Sequence, residues 1–89
     1  MKRWPNKDPN EVLPYVIDWS QRLAGDIIDT STFTVPSGIV MNSQTHTNSL
    51  ATIWLSGGSD GVTYDILNRV VTNGSRTMDR TVRLRIKSK

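Results

Sequence analysis

An antiparallel all-β sandwich of six or seven strands is the fold this sequence predicts, and three observations predict it. Apolar side chains recur with period two rather than 3.6, as in Ala51, Ile53 and Leu55 and again in Val62, Tyr64 and Ile66. Successive segments are rich in Val, Ile, Thr and aromatic residues, which fit a pleated, half-buried surface. Turn-forming Pro, Gly and Asn residues separate them at short intervals. Almost no helix is expected.

Residues 1–11 carry Pro5, Pro9, two Asn and mixed charge, which reads as an extended arm outside the domain of residues 12–89. Val12–Trp19 is the first strand, confined by Pro14 to a sheet edge or a bulge. Gln21–Asp26 is a turn containing Gly25. Ile27–Val35 follows as a strand and ends at Pro36-Ser37-Gly38. Ile39–Thr47 is a weak strand and Leu50–Ser56 a strong one, with Ala51, Ile53 and Leu55 on one face. After the Gly57–Gly61 loop, Val62–Thr72 and Met78–Lys87 complete the set. At 89 residues the chain holds a single core and buries only about 60–65 % of its unfolded surface. It has no Cys, so disulfides and thiolate metal sites are excluded. No run of 18 apolar residues and no basic-then-apolar leader occurs, so neither a membrane span nor a secretory leader is expected.

Side-chain parity fixes the register of the last hairpin. A two-residue Asn73-Gly74 turn would set Tyr64 opposite Arg83 and the apolar face of one strand against the polar face of the other. A loop one residue longer, Asn73-Gly74-Ser75, pairs Val62 with Ile86, Tyr64 with Leu84 and Ile66 with Val82. The longer loop is therefore predicted, with Arg83 and Arg85 on the outer face. It also sets Asp65 opposite Arg83 and Arg69 opposite Asp79, two opposite-charge pairs worth about 0.2–1 kcal/mol each. This matters for the charge distribution. The net charge of +3 divides into +6 over residues 69–89, seven Lys and Arg against Asp79 alone, and −3 over residues 1–68. A basic last strand is a feature of nucleic-acid-binding domains, but local pairing gives much of this charge a structural use. A solvated strand face is the plainer reading.

Tyr64 precedes the core position Ile66 by two residues and follows a Gly-rich loop. That is the pattern of the tyrosine corner of immunoglobulin-like sandwiches, in which the hydroxyl bonds back to the preceding backbone.

Catalytic chemistry finds little support. His46 is the single His and lies in the polar stretch Asn42–Ser49, where a surface position is the expectation. The Asp residues fall at strand ends and turns, where they cap backbone groups. Asp26 and Asp29 suit a cation, but no loop has EF-hand spacing. Ser37 lacks an elbow motif and a partner base. Gly57, Gly58 and Gly61 lack the Lys of a phosphate loop. Asn73-Gly74-Ser75 formally matches a glycosylation sequon, for which a turn is the better explanation. The chain reads as a non-enzyme with no cofactor and no metal.

The three Trp residues carry more information. Trp54 alternates out of phase with Ala51, Ile53 and Leu55, so it faces outward. Trp4 sits in the arm beside the steering charges Lys2 and Arg3, and Trp19 ends the first strand. Exposed large aromatics mark protein interfaces, so Trp4, Lys2, Arg3, Trp54 and Trp19 are the candidate contact residues. Trp4 is the expected anchor of an arm that is mobile in the isolated chain.

The chain also resembles a known family. Lys7-Asp8-Pro9-Asn10-Glu11-Val12-Leu13, Asp18-Trp19, Leu23-Ala24-Gly25-Asp26 and Phe33-Thr34-Val35-Pro36-Ser37-Gly38-Ile39 carry the resemblance. It continues through Trp54-Leu55-Ser56-Gly57-Gly58, Gly61-Val62-Thr63-Tyr64 and Arg76-Thr77-Met78-Asp79-Arg80. In this order they are similar to small tailed-phage structural proteins of the fiber-tail adaptor type, over about residues 7–86. Phe33 stands where a Trp is expected, and Asn10 where an Asp is. The resemblance implies an immunoglobulin-like virion component, made in the host cytoplasm, that joins other virion structural proteins (tail, neck or fiber subunits) in multiple copies in a symmetric ring. It implies no membrane and no cofactor, and nucleic acid is not expected as a partner. A capsid-decorating or host-surface-binding module is the alternative.

Overall fold

The computed structural model describes residues 2–89. Seven strands run in the order β1 (Lys2–Arg3), β2 (Leu13–Asp18), β3 (Ile28–Thr34), β4 (Ile39–His46), β5 (Leu50–Gly57), β6 (Thr63–Thr72) and β7 (Thr77–Arg85). A four-residue helix, α1 (Ser20–Leu23), replaces part of the expected turn and closes with Ala24 at φ 50° and Gly25 at φ 89°. One sheet has the order β1-β7-β6-β3 and the other β2-β5-β4. The fold is all-β, and Pro14 lies on an edge strand as its missing N–H requires.

The inner faces of the two sheets share one core. Ile17, Ala51, Ile53 and Leu55 come from one sheet and Ile66, Val70, Val82 and Leu84 from the other, and none of them reaches solvent. Each fully buried Ile, Val or Leu side chain among them stabilises the fold by about 1.5–3 kcal/mol. The predicted hairpin register is present: Tyr64 pairs with Leu84, Asp65 with Arg83, Ile66 with Val82 and Arg69 with Asp79. The loop is Asn73-Gly74-Ser75, flanked by a Thr72 N–H to Arg76 carbonyl bond of 2.9 Å and closed by Ser75 at φ 63°. Val62 departs from expectation. It precedes the strand and is 40 % exposed although its carbonyl accepts the Ile86 N–H.

The Tyr64 hydroxyl accepts the backbone N–H of Ser59 at 3.1 Å, the backward bond expected of this residue. Its ring packs against Gly38, which has φ 102°; a Cβ there would meet the Tyr64 hydroxyl at 3.0 Å. Only glycine combines that φ with so close an approach.

The N-terminal segment is not free of the domain. β1 pairs in parallel with Val82 and Arg83, and the Trp4 and Lys7 N–H groups bond the Arg83 and Arg85 carbonyls at 3.0 Å. Lys7 is wholly buried, and its ammonium donates to the carbonyls of Gly57 (2.7 Å) and Asp8 (2.9 Å). Burial holds its pKa below the usual lysine value. The expectation of a mobile arm weighed only the scarcity of apolar side chains in residues 1–11. The edge of β7 supplies the backbone bonds that this count leaves out.

Candidate protein interface

Inward packing of Ala51, Ile53 and Leu55 turns Trp54 to the outer face of the β2-β5-β4 sheet, where it is 40 % exposed. Register places Pro14 on one side of it and Ser43 on the other. Val12, Val16 and Val40 are exposed as well. Val16 stands opposite Thr52 and Val40 opposite Ser56, both of which share the outward parity of Trp54. The face is therefore an apolar band around one large aromatic, bordered by the polar strand β4. Asn42 forms a bulge in that strand between Met41 and Ser43.

The other two Trp residues are not surface residues. Trp4 is 5 % exposed, stacks on Tyr15 with ring centroids 4.8 Å apart, and donates its indole N–H to the Val16 carbonyl at 3.3 Å. Trp19 is completely buried and donates to Asn68 Oδ1 at 2.9 Å. Asn68 in turn donates to Ser31 Oγ (3.0 Å) and the Thr32 carbonyl (3.3 Å), which ties β6 to the edge strand β3. Both Trp residues were candidate contact residues. Trp4 instead points inward from the docked N-terminal segment onto Tyr15, and Trp19 lies beneath Arg22 and Arg80, whose guanidiniums lie 6.0 and 4.9 Å from its ring centroid. Lys2 and Arg3 are exposed, as expected. The structure thus separates the candidates: Trp54 presents an apolar face, Lys2 and Arg3 lie on the strand beside β7, and Trp4 and Trp19 belong to the core.

Ion pairing consumes much of the C-terminal basic charge. Arg69 engages Asp79 through two bonds of 2.8 and 2.9 Å, and Arg83 meets Asp65 at 3.2 Å. Arg76 meets Asp26 at 3.3 Å, and Lys89 meets Glu11 at 2.9 Å. Asp26, considered above for a cation, instead accepts the Gly74 N–H and the Arg76 guanidinium, pinning the α1–β3 turn to the hairpin loop. Its carboxyl is held below the usual range, first by the Thr72 hydroxyl. His46 is exposed at the end of β4. Among the described residues, no three His, Cys, Asp or Glu side chains converge as a metal site would require, and no helix is long and apolar enough to cross a membrane.

Two features escaped sequence reasoning. Asn68 shares the inward parity of Tyr64, Ile66 and Val70, so alternation alone assigns it to the core, although its polarity does not. The second is a cleft of about 300 Å³ lined by Lys2, Asp18, Gln21, Arg22 and Arg80. These residues come from β1, β2, α1 and β7, and no local motif signals their meeting.

Compared with known families, residues 7–85 match the model described as Gp77, Podophage GP4 fiber-tail adaptor protein gp77. No curated protein matches the chain.

Proposed function

The chain belongs to the podophage fiber-tail adaptor family, and from that premise we propose that it is a non-enzymatic virion protein that links a fiber to a tail or neck component through the Trp54 face. The family makes it a phage structural adaptor and a component of the virion. The observation that carries the finer reading is the exposed band of Val12, Pro14, Val16, Trp54 and Val40 on the outer side of the β2-β5-β4 sheet. Such a band loses water only against another apolar surface, and a central Trp is the residue type that most often dominates an interface.

The scaffold is an immunoglobulin-like sandwich in this reading. Strands β2-β5-β4 correspond in order to B-E-D and strands β3-β6-β7 to C-F-G. Tyr64, at the start of the F equivalent, makes the backbone bond of a tyrosine corner. The first strand joins β7 in parallel, which leaves the outer edge of β2 without a strand partner. The partners are tail, neck or fiber subunits, and copies of the chain are arranged in a ring about the tail axis. The experiment is localisation in intact particles by cryo-electron microscopy with subunit assignment. Density for the chain where fibers join the tail, with the Trp54 face against another subunit, is the expected result. Density distributed over the capsid would instead identify a decoration protein and overturn the reading.

A further inference from the structure

An adaptor needs a second surface, and the cleft beside Trp19 has the chemistry of one. Lys2, Arg22 and Arg80 converge on it around a single carboxylate, Asp18. Among the described residues, no carboxylate lies within 4.0 Å of any of the three cations, whereas Arg69, Arg76, Arg83 and Lys89 all have one. The Arg22 and Arg80 guanidiniums lie over the Trp19 ring instead, and Arg80 Nη1 also donates to the Asp18 carbonyl at 3.4 Å. Asp18 offsets only one of the three positive charges, so an incoming anion relieves the remaining repulsion while gaining charge-assisted hydrogen bonds.

We infer that this cleft receives an acidic peptide segment of the second protein the adaptor joins, an inference that rests on the adaptor reading above. A carboxylate side chain of that segment would bond Arg22 and Lys2, while Asp18 and Gln21 suit the peptide N–H groups beside it. The same features disfavour nucleic acid. Asp18 sets a negative charge among the three cations, and Arg69 and Arg83 are already paired with Asp79 and Asp65. The exposed surface of the hairpin therefore alternates in charge and offers no continuous basic stripe of the kind a phosphate backbone follows.

The test is titration of the full chain with hexaglutamate, capped at both ends, followed in assigned ¹H–¹⁵N spectra. Signals of Trp19, Arg22 and Arg80 should move together. The double variant Lys2→Glu with Arg22→Glu should raise Kd at least about tenfold, since it sets like charges opposite the peptide. Arg85→Glu with Lys87→Glu makes the same charge change about 16–23 Å further along β7 and its extension from Arg80; it should leave Kd within about threefold, as screening at physiological salt requires. Equal losses in the two double variants, no site-specific shifts, or tighter binding of a ten-residue oligothymidine at the same residues would each overturn the inference. Incorporation into particles is scored separately. A chain that assembles through Trp54 but binds no hexaglutamate refutes the cleft alone, and a chain absent from the tail refutes the adaptor reading.

Discussion

Trp4 stacks on Tyr15 with ring centroids 4.8 Å apart and an interplanar angle of 27°, so the N-terminal segment is fastened to the sheet opposite the one it pairs with. β1 hydrogen-bonds to β7, while the Trp4 side chain reaches across to β2 and bonds the Val16 carbonyl. The segment therefore closes one side of the sandwich. Trp4→Ala should cost about 3–5 kcal/mol, the range for removing a buried aromatic, read as a lower urea midpoint. Deleting residues 1–8 should cost more, since Lys7 and the β1 bonds go with it. An unchanged midpoint in the deletion would return the segment to the status of an independent arm.

Tyr15 holds a buried hydroxyl with no hydrogen-bond partner in the protein. Burial first, with the Glu11 charge adding to it, pushes its pKa up to about 12. Tyr15→Phe removes an unsatisfied polar group, so it should leave stability unchanged or raise it by up to about 1 kcal/mol. The pH dependence has a definite sign. Above the ordinary value of 10.0 the unfolded chain loses the phenolic proton while the folded chain keeps it until about 12. Stability should therefore fall with rising pH across that window. Denaturant midpoints of the Phe variant should lack that part of the alkaline loss.

Asn68 is the hub that satisfies the Trp19 indole. Asn68→Leu fits the buried position in size but strands the indole N–H and frees Ser31 and the Thr32 carbonyl. A loss of about 1–3 kcal/mol per stranded group is expected, accompanied by faster hydrogen exchange of the Trp19 indole. Unchanged exchange would mean that the indole finds another acceptor.

Acid should weaken the fold through carboxylates that hold loops and termini together. Asp26 is lowered first by the Thr72 hydroxyl, Asp79 by Arg69, Asp8 by the Lys89 backbone N–H and Glu11 by the Asp8 backbone N–H. Each folded pKa lies below its unfolded value of 3.8 or 4.5. Their stabilisation is present above those values and disappears as pH falls through the folded ones. Thermal melts in an acid series should show Tm falling below about pH 4.5, less steeply for Asp26→Asn than for the parent. A flat profile down to the aggregation limit would contradict this.

Period-two alternation made the strands, the β6–β7 register and the outward Trp54 legible, because side-chain direction in a strand depends only on sequence parity. It failed where placement depends on a distant element. Trp19 ends a strand, where no neighbouring sequence shows what covers it; Arg22 of α1 and Arg80 do. Trp4 lies in a segment whose composition alone suggests no order, and the free edge of β7 orders it. Asn68 had the correct parity and the wrong polarity, and its burial becomes intelligible only with Trp19 and Ser31 in view. Lys2, Arg22 and Arg80 come from three different elements and Asp18 from a fourth, so no spacing rule connects them.

Attachment through the Trp54 face is the centre of this account, and Trp54→Thr tests it most directly. Threonine keeps strand preference on an outward position between Pro14 and Ser43, so the variant should stay folded, losing about 1–2 kcal/mol of cross-strand packing. Particles assembled with this variant should contain little of the chain and few fibers, measured as its amount relative to the capsid protein in purified virions. A folded variant present at the parental ratio, on particles with their fibers in place, would contradict the account.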